Sequence, residues 1–274
     1  MNILPVEKQV QIISSLIEGC SMRATARMVG VERNTITRTL LKIGERCAAL
    51  LDTKIRRVPA RRVQVDEIWT YIFKKQALIT DDDPPERGDQ YVFIGMDADT
   101  KLVISHLIGK RDAATAFYLI SDLKDRLAYR VQLTTDGFRP YLAAVEDNFG
   151  ADIDYAMLVK VYGTEEREAG APEWYGPPMV VAAMPTPITG RPHPRYISTS
   201  YIERQNLTIR MQARRFTRLT NAFSKKLSNL KAQVALHFAH YNFVRIHQTL
   251  RITPAMAAGI TDHLWGLEDL VLAA

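Results

Sequence analysis

Asp66 and Asp136 are the side chains whose setting points to chemistry. Asp66 lies in residues 63–73, VQVDEIWTYIF, where the content of Val, Ile, Trp, Tyr and Phe predicts a strand. Alternation places Val63, Val65 and Glu67 on one side of that strand and Gln64, Asp66 and Ile68 on the other. An ionised carboxylate is expensive to take out of water, so one set mid-strand among apolar residues needs a partner or a polar cleft where a cation waits. Capping a turn or pairing with Arg is the commoner use of such an aspartate; its downstream company favours a metal ligand instead. Residues 131–135 read as a short strand ending at Asp136, and Gly137 releases the chain into a helix over 141–149. In open α/β sheets polar ligands gather at the carboxyl ends of strands, near a switch in strand order. Asp136 sits at such an end, and beside the first strand its carboxylate would approach that of Asp66.

The elements that must position these two groups follow from the same pattern. Residues 91–97 and 102–108 read as strands joined by Ala98-Asp99-Thr100-Lys101, a hairpin connection. Asp112 caps a helix to about Leu127 with Ala116, Leu119, Ile120 and Leu123 inward, and residues 156–161 form a further strand. The acidic, Pro-rich stretch 80–89, TDDDPPERGD, is a solvated loop. Three antiparallel strands, a helix, a strand, a helix and a strand match a ribonuclease-H-like mixed sheet with flanking helices, an α/β class.

The first fifty residues predict something else. Pro5 opens a helix with Val6, Val10, Ile13 and Ile17 at helical spacing, ended near Gly19; a second helix runs over 21–29 and a third over 34–43. Ala26, Gly30 and Ile36 have the spacing of a helix-turn-helix, which needs a small residue at the crossing and a left-handed turn residue. Arg33, Asn34, Thr35, Thr37, Arg38 and Lys42 on the third helix suit phosphates and base edges in a major groove. The plainer alternative is a three-helix bundle with a solvated basic face. A basic segment, KIRRVPARR at 54–62, follows at once and brings Arg56, Arg57, Arg61 and Arg62 to a phosphate backbone. The chain thus divides into a small all-α helix-turn-helix domain at 1–52, a basic linker at 53–62, the α/β domain at 63–258 with an insertion at 163–200, and a tail at 259–274.

Composition sets outer limits. With 274 residues, 47% of them apolar, and a net charge of +6, the chain has enough core for folded domains and an attraction for anions. Cys20 and Cys47, far apart, make no zinc cluster. The N-terminus lacks the order of a signal peptide and no apolar run reaches the ~20 residues of a membrane span, so the expectation is a soluble, cytoplasmic, nucleoid-associated protein without a membrane partner.

VDEIW, TTDGFRPY, LVKVYG and YIERQN resemble the segments that carry the catalytic carboxylates of DDE transposases of bacterial insertion sequences, most like the insertion-sequence-one type. The resemblance covers residues 62–258, including the closing HQTLRITPAMA. It implies that Asp66, Asp136 and Glu203 are the catalytic and metal-binding residues, that two Mg²⁺ or Mn²⁺ ions serve each site, and that double-stranded DNA is the substrate. Synapsis of two ends implies a homodimer or larger homo-oligomer. The amino-terminal zinc motif that such transposases often carry is excluded here by the cysteine count. Glu173 is nearer to Asp136 in sequence, but it is flanked by Pro172 and by the turn-forming residues 174–178; Glu203 opens a helix after the possible caps Ser198, Thr199 and Ser200, and is preferred.

Two divalent cations about 3.5–4 Å apart stabilise the attacking and leaving oxygens of an in-line displacement at phosphorus, and oxygen ligands alone suffice for Mg²⁺. Asp66 is expected to bridge, with Asp136 and Glu203 completing one side each. From residue 203 to 251 ten Lys or Arg accompany a single acid, so Arg204, Asn206, Arg210 and Arg214 are expected along the DNA. Lys160 either points into the site or forms a structural ion pair. Trp69 is expected in the core, and His237, His240 and His247, on a basic helix, are expected to face solvent or phosphate; a helix over 221–242, with Phe223, Leu227, Leu230, Val234 and Phe238 inward, covers the sheet or supports a second subunit. The apolar run 179–184, with Arg191 and Arg195, makes the insertion either a β-hairpin or flap over DNA, or a disordered or oligomer-forming loop. Two rival functions remain open: a helix-turn-helix DNA-binding regulator whose ribonuclease-H-like domain only dimerises, and a nuclease that cuts without joining.

Overall fold

The computed structural model describes residues 4–163, 179–218 and 220–273. Among them a six-stranded mixed sheet of order β3-β2-β1-β4-β5-β6 carries the site. Its strands are β1 (Arg62–Ile72), β2 (Gly88–Asp97), β3 (Val103–Gly109), β4 (Gln132–Thr135), β5 (Asp154–Gly163) and β6 (Met179–Thr189). The first three are antiparallel, β1, β4 and β5 run parallel, and β6 returns antiparallel to β5. The element order expected for the central region is therefore present.

The parallel ladder between β1 and β4 stops at Val65 opposite Thr135. Beyond that point β1 has no neighbouring strand on this side until Ile72 bridges Ser224, and the chain after Thr135 is free to turn.

The helices α1 (Val6–Ile17), α2 (Met22–Val29) and α3 (Arg33–Lys54) precede the sheet. Ser21 caps α2 by accepting from the Ala24 N–H, and Gly30 closes it in the left-handed conformation at φ 71°. The third helix does not end at Ile43 as the sequence suggests; it continues for another eleven residues through Lys54. Gly44 looks like a stop but is a contact point, because α7 (Leu227–Ala239) crosses α3 there. A Cβ on Gly44 would stand 2.5 Å from the Cα of Ala232.

In an open helix Gly→Ala adds roughly 1 kcal/mol, but here backbone lies in the way. Gly44→Ala is expected to cost about 1–3 kcal/mol and to lower the melting temperature of the whole chain by several degrees in a thermal scan.

Residues 53–62 are fastened rather than loose. Val58 donates to the Arg126 carbonyl at 2.7 Å and accepts from Ala128, and Arg126, near the end of α4 (Ala113–Arg126), donates to the carbonyls of Leu51 and Ile55. As expected, Asp112 caps α4 by accepting from the Thr115 N–H.

The helix α5 (Pro140–Phe149) lies between β4 and β5, and α6 (Ser200–Gln212) follows β6. The short α8 (Pro254–Ala257) and α9 (Leu267–Leu272) come last, α9 against α1. The helix expected from residue 221 begins only at Leu227, and Phe223 instead stacks on Tyr71 with ring centroids 4.8 Å apart. At its other end α7 passes into a wide π-type turn, His240–Val244. No helix among the described residues is long and apolar enough to cross a membrane.

Candidate active site

The strand β1 delivers Asp66 just past the end of its pairing with β4, where Asp136 turns off. Because Asp136 is outside the ladder, its carboxylate stands at the sheet end, within reach of side chains from both faces of β1. Asp66 points to the α6 side, where its Oδ2 accepts from Asn206 Nδ2 at 2.9 Å. Glu67 points to the α5 side, where its Oε2 accepts from the Tyr141 hydroxyl at 3.1 Å. A carboxylate oxygen from each of Asp66, Glu67 and Asp136 lies within 4.8 Å of the other two.

Glu203 occupies the first turn of α6 and lines the same cleft as Asp66 and Asp136, about 880 Å³ in volume, together with Lys160, Asn206, Leu207, Arg210 and Arg218. The three carboxylates expected from sequence thus share one cleft. The Oε1 of Glu203 accepts from Lys160 Nζ and Thr199 Oγ1. Lys160 therefore both points into the site and makes an ion pair. Thr199 precedes α6, but its hydroxyl serves Glu203 and not a backbone N–H. Glu173, the rejected alternative, lies outside the described residues.

So many carboxylates crowded together disfavour their charged forms. Burial, and then the charges of Asp136 and Glu67, push Asp66 up from its ordinary 3.8 to about 8. Asp136 is raised by burial, against the Phe138 N–H, Arg111 and Lys160, which favour its ionised form. Glu67 is raised by burial and Asp136, with Arg111 opposing.

Two members of this constellation escape sequence reasoning. Glu67 sits next to Asp66, but simple alternation assigns it to the opposite face; only the early end of β4 lets both faces meet at Asp136. Arg111 approaches from the turn before α4: its Nε is 2.6 Å from Glu67 Oε1 and its Nη2 3.7 Å from Asp136 Oδ2. Nothing in its sequence neighbourhood signals that role.

The basic residues expected on DNA are placed unevenly. Arg33, Asn34, Arg38 and Lys42 are exposed on α3, while Thr35 and Thr37 are half-buried, Thr37 donating to the Arg33 carbonyl. Arg57 and Arg61 are exposed; Arg56 pairs with Asp52, and Arg62 pairs with Asp99 and stacks over Tyr196. Arg204 is exposed on α6, and Arg214 is exposed in the turn after it. Arg210 lines the cleft, lowered to about 10 by burial and the nearby Arg218. Asn206 is spent on Asp66, and its own Oδ1 is buried without a partner.

Of the three histidines expected to face solvent or phosphate, His237 and His240 do not. His237 and His240 are buried in the helical layer, where burial lowers them to about 3 and about 4; only His247 is half-exposed. Trp69 is half-buried, 5.6 Å from the Tyr71 ring. Residues 179–189 form a strand, so the apolar run is one arm of a hairpin with β5.

No family model matches the chain, and no curated protein matches its sequence. Among solved structures it is similar to the Mos1 strand transfer complex, at 15% identity over 57% of this chain and 59% of that chain, with a TM-score of 0.24. It is similar to the Mos1 mariner paired-end complex with Mn at 15% identity, over 54% of this chain and 57% of that one, TM-score 0.24. It is also similar to a piggyBac transposase synaptic complex with hairpin DNA, at 8% identity over 99% of this chain and 72% of that chain, TM-score 0.43. The chain spans less than three fifths of the length of these Mos1 chains. At identities and scores this low the likeness carries no argument about activity, and the functional reading rests on the side chains of the cleft.

Proposed function

We propose that the chain is a DNA transposase of the DDE type, close to the insertion-sequence-one type, which binds transposon ends through α2 and α3 and cleaves and joins strands at the cleft between β1, β4 and α6. The observation that carries this reading is the meeting of Asp66 and Asp136 at the sheet end, in one cleft with Glu203 and with Lys160, Arg210 and Arg218 beside them. The strand order β3-β2-β1-β4-β5 supports a ribonuclease-H-like catalytic domain.

The donor set fits a hard divalent cation: carboxylates from Asp66, Asp136 and Glu203, with the unpartnered buried Oδ1 of Asn206 alongside. Asp66 is the candidate for a shared ligand, with Asp136 and Glu203 on either side. Mg²⁺ or Mn²⁺ bound there supplies positive charge to the attacking and departing oxygens at phosphorus. The protein's own groups do the rest. Asn206 fixes the rotamer of Asp66, and Lys160 and Thr199 fix that of Glu203. Arg210 and Arg218 line the cleft, and Arg204 is exposed on the same helix, α6; these cations take a phosphate backbone and hold the scissile bond across it.

Incubation with duplexes that end in the element's own terminal sequences tests the reading. Nicked and joined products are expected with Mg²⁺ or Mn²⁺ and none with chelator. Cutting without joining, when free 3′ ends are supplied, would make the protein a nuclease; DNA binding with no cutting under any divalent cation would make it a regulator.

A further inference from the structure

The four carboxylates at the sheet end are not equivalent. Asp136 accepts from the Phe138 N–H through Oδ1 and leaves its Oδ2 3.7 Å from Arg111, whereas Glu67 has both oxygens engaged, one by Arg111 and one by Tyr141, and its side chain is 4% exposed. The Arg111 guanidinium is held on three sides: by Glu67, by the face of Phe138 at 4.1 Å, and by Asp136 at 3.7 Å. That last distance is too long for a hydrogen bond and short enough for strong attraction. Without the pull of Glu67 the guanidinium would close on Asp136 and take both its oxygens, since a bidentate arginine–carboxylate pair is the stronger arrangement.

We propose that Glu67 is the tether of Arg111 and not a cation ligand, and that Arg111 is a positioning residue that sets how readily the Asp136 side of the cleft accepts a divalent cation. Tethered, Arg111 steadies Asp136 at a distance and leaves its Oδ2 free for a cation. Untethered, it occupies that oxygen. The inference rests on the reading of Asp66 and Asp136 as cation ligands.

The two roles for Glu67 separate in a double-mutant cycle read by Mn²⁺ binding to the full chain without DNA, using the electron paramagnetic resonance signal of free Mn²⁺. The parent must bind Mn²⁺ and Asp136→Asn must abolish the binding; failure of either overturns the metal reading and this inference with it. Given that, Arg111→Gln is expected to bind Mn²⁺ about five-fold more tightly, because a neighbouring positive charge is gone. Glu67→Gln is expected to bind it about ten-fold more weakly. In the Arg111→Gln background the same Glu67→Gln change is expected to weaken binding by no more than about three-fold, the loss of one neighbouring negative charge, since nothing remains to be tethered. A ten-fold loss in both backgrounds would make Glu67 a ligand and overturn the inference while leaving the metal site standing. Tyr141→Phe, which removes the other partner of Glu67 without emptying the core, provides the second variant should Glu67→Gln not fold. It is expected to weaken Mn²⁺ binding in the parent and not in Arg111→Gln, and an equal effect in both would again overturn the tether.

Discussion

Asp66→Asn, Asp136→Asn and Glu203→Gln are each expected to abolish the proposed divalent-metal-dependent DNA cleavage, by ~10³-fold or more, while DNA affinity in a mobility-shift assay is expected to change by less than about three-fold. The size of the expected loss follows from geometry. Asp66 and Asp136 contribute oxygens within 4.8 Å of each other, so removing either charge breaks the pair proposed to share a cation. The binding surfaces proposed on α3 and α6 are untouched by these isosteric changes. Glu203 is the most informative of the three, because Glu67 and not Glu203 completes the tightest cluster of acids. Full cleavage by Glu203→Gln together with loss in Glu67→Gln would transfer the third ligand's role to Glu67.

The thermal stability of the metal-free protein is expected to fall as pH rises from about 6 toward 8, the reverse of what paired carboxylates usually produce. Asp66 is held at about 8, well above its ordinary 3.8, so between those values the folded chain keeps a proton that the unfolded chain has released. Stability therefore declines with rising pH across that window, and the full penalty is present above it. Asp136 and Glu67, also raised, act in the same direction.

Buried histidines govern the other limb. His106, His237 and His240 are depressed to about 4, 3 and 4, so their contribution is intact above the unfolded value near 6.5 and is lost as pH falls toward those numbers. A melting temperature greatest between about pH 5 and 7 is the expected outcome of a scan in chelator. Asp66→Asn should raise the melting temperature at pH 8.5 by several degrees and flatten the alkaline limb. Added Mg²⁺ should do the same for the parent and nothing for Asp66→Asn. A parent protein whose stability is level from pH 6 to 8.5 in chelator would show that Asp66 is ionised without penalty, and the electrostatic account of the cleft would fail.

What could be read from the sequence was what depends on local pattern. Alternation in residues 63–73, the Asp112 cap and the strand ending at Thr135 all have short-range causes, and they were enough to bring Asp66 beside Asp136. What could not be read depends on distant segments. Gly44 has the composition of a helix end, yet α3 runs through it because Ala232, far along the chain, needs the space. His237 and His240 sit in a run that also carries cations, but the helix is covered on nearly every side, so polarity along the sequence misjudged depth. Glu67 was hidden by the alternation rule that located Asp66. Arg111 is one basic residue among thirty-six Lys and Arg, and only the fold selects it.

The length of α3 has a consequence for any duplex seated on it. Its first turns present Arg33, Asn34 and Arg38 to solvent, and its last turns are bolted through Leu51 and Ile55 to Arg126 at the back of the sheet. If α3 grips DNA and the carboxylate cleft cuts it, as proposed, this rod of 22 residues, roughly 33 Å long, would act as a ruler that sets the count of base pairs between the gripped sequence and the cut. One inserted base pair would rotate the target phosphate by roughly 35° about the duplex axis and carry it away from the carboxylates, so end sequences are expected to tolerate changes of letter far better than changes of spacing.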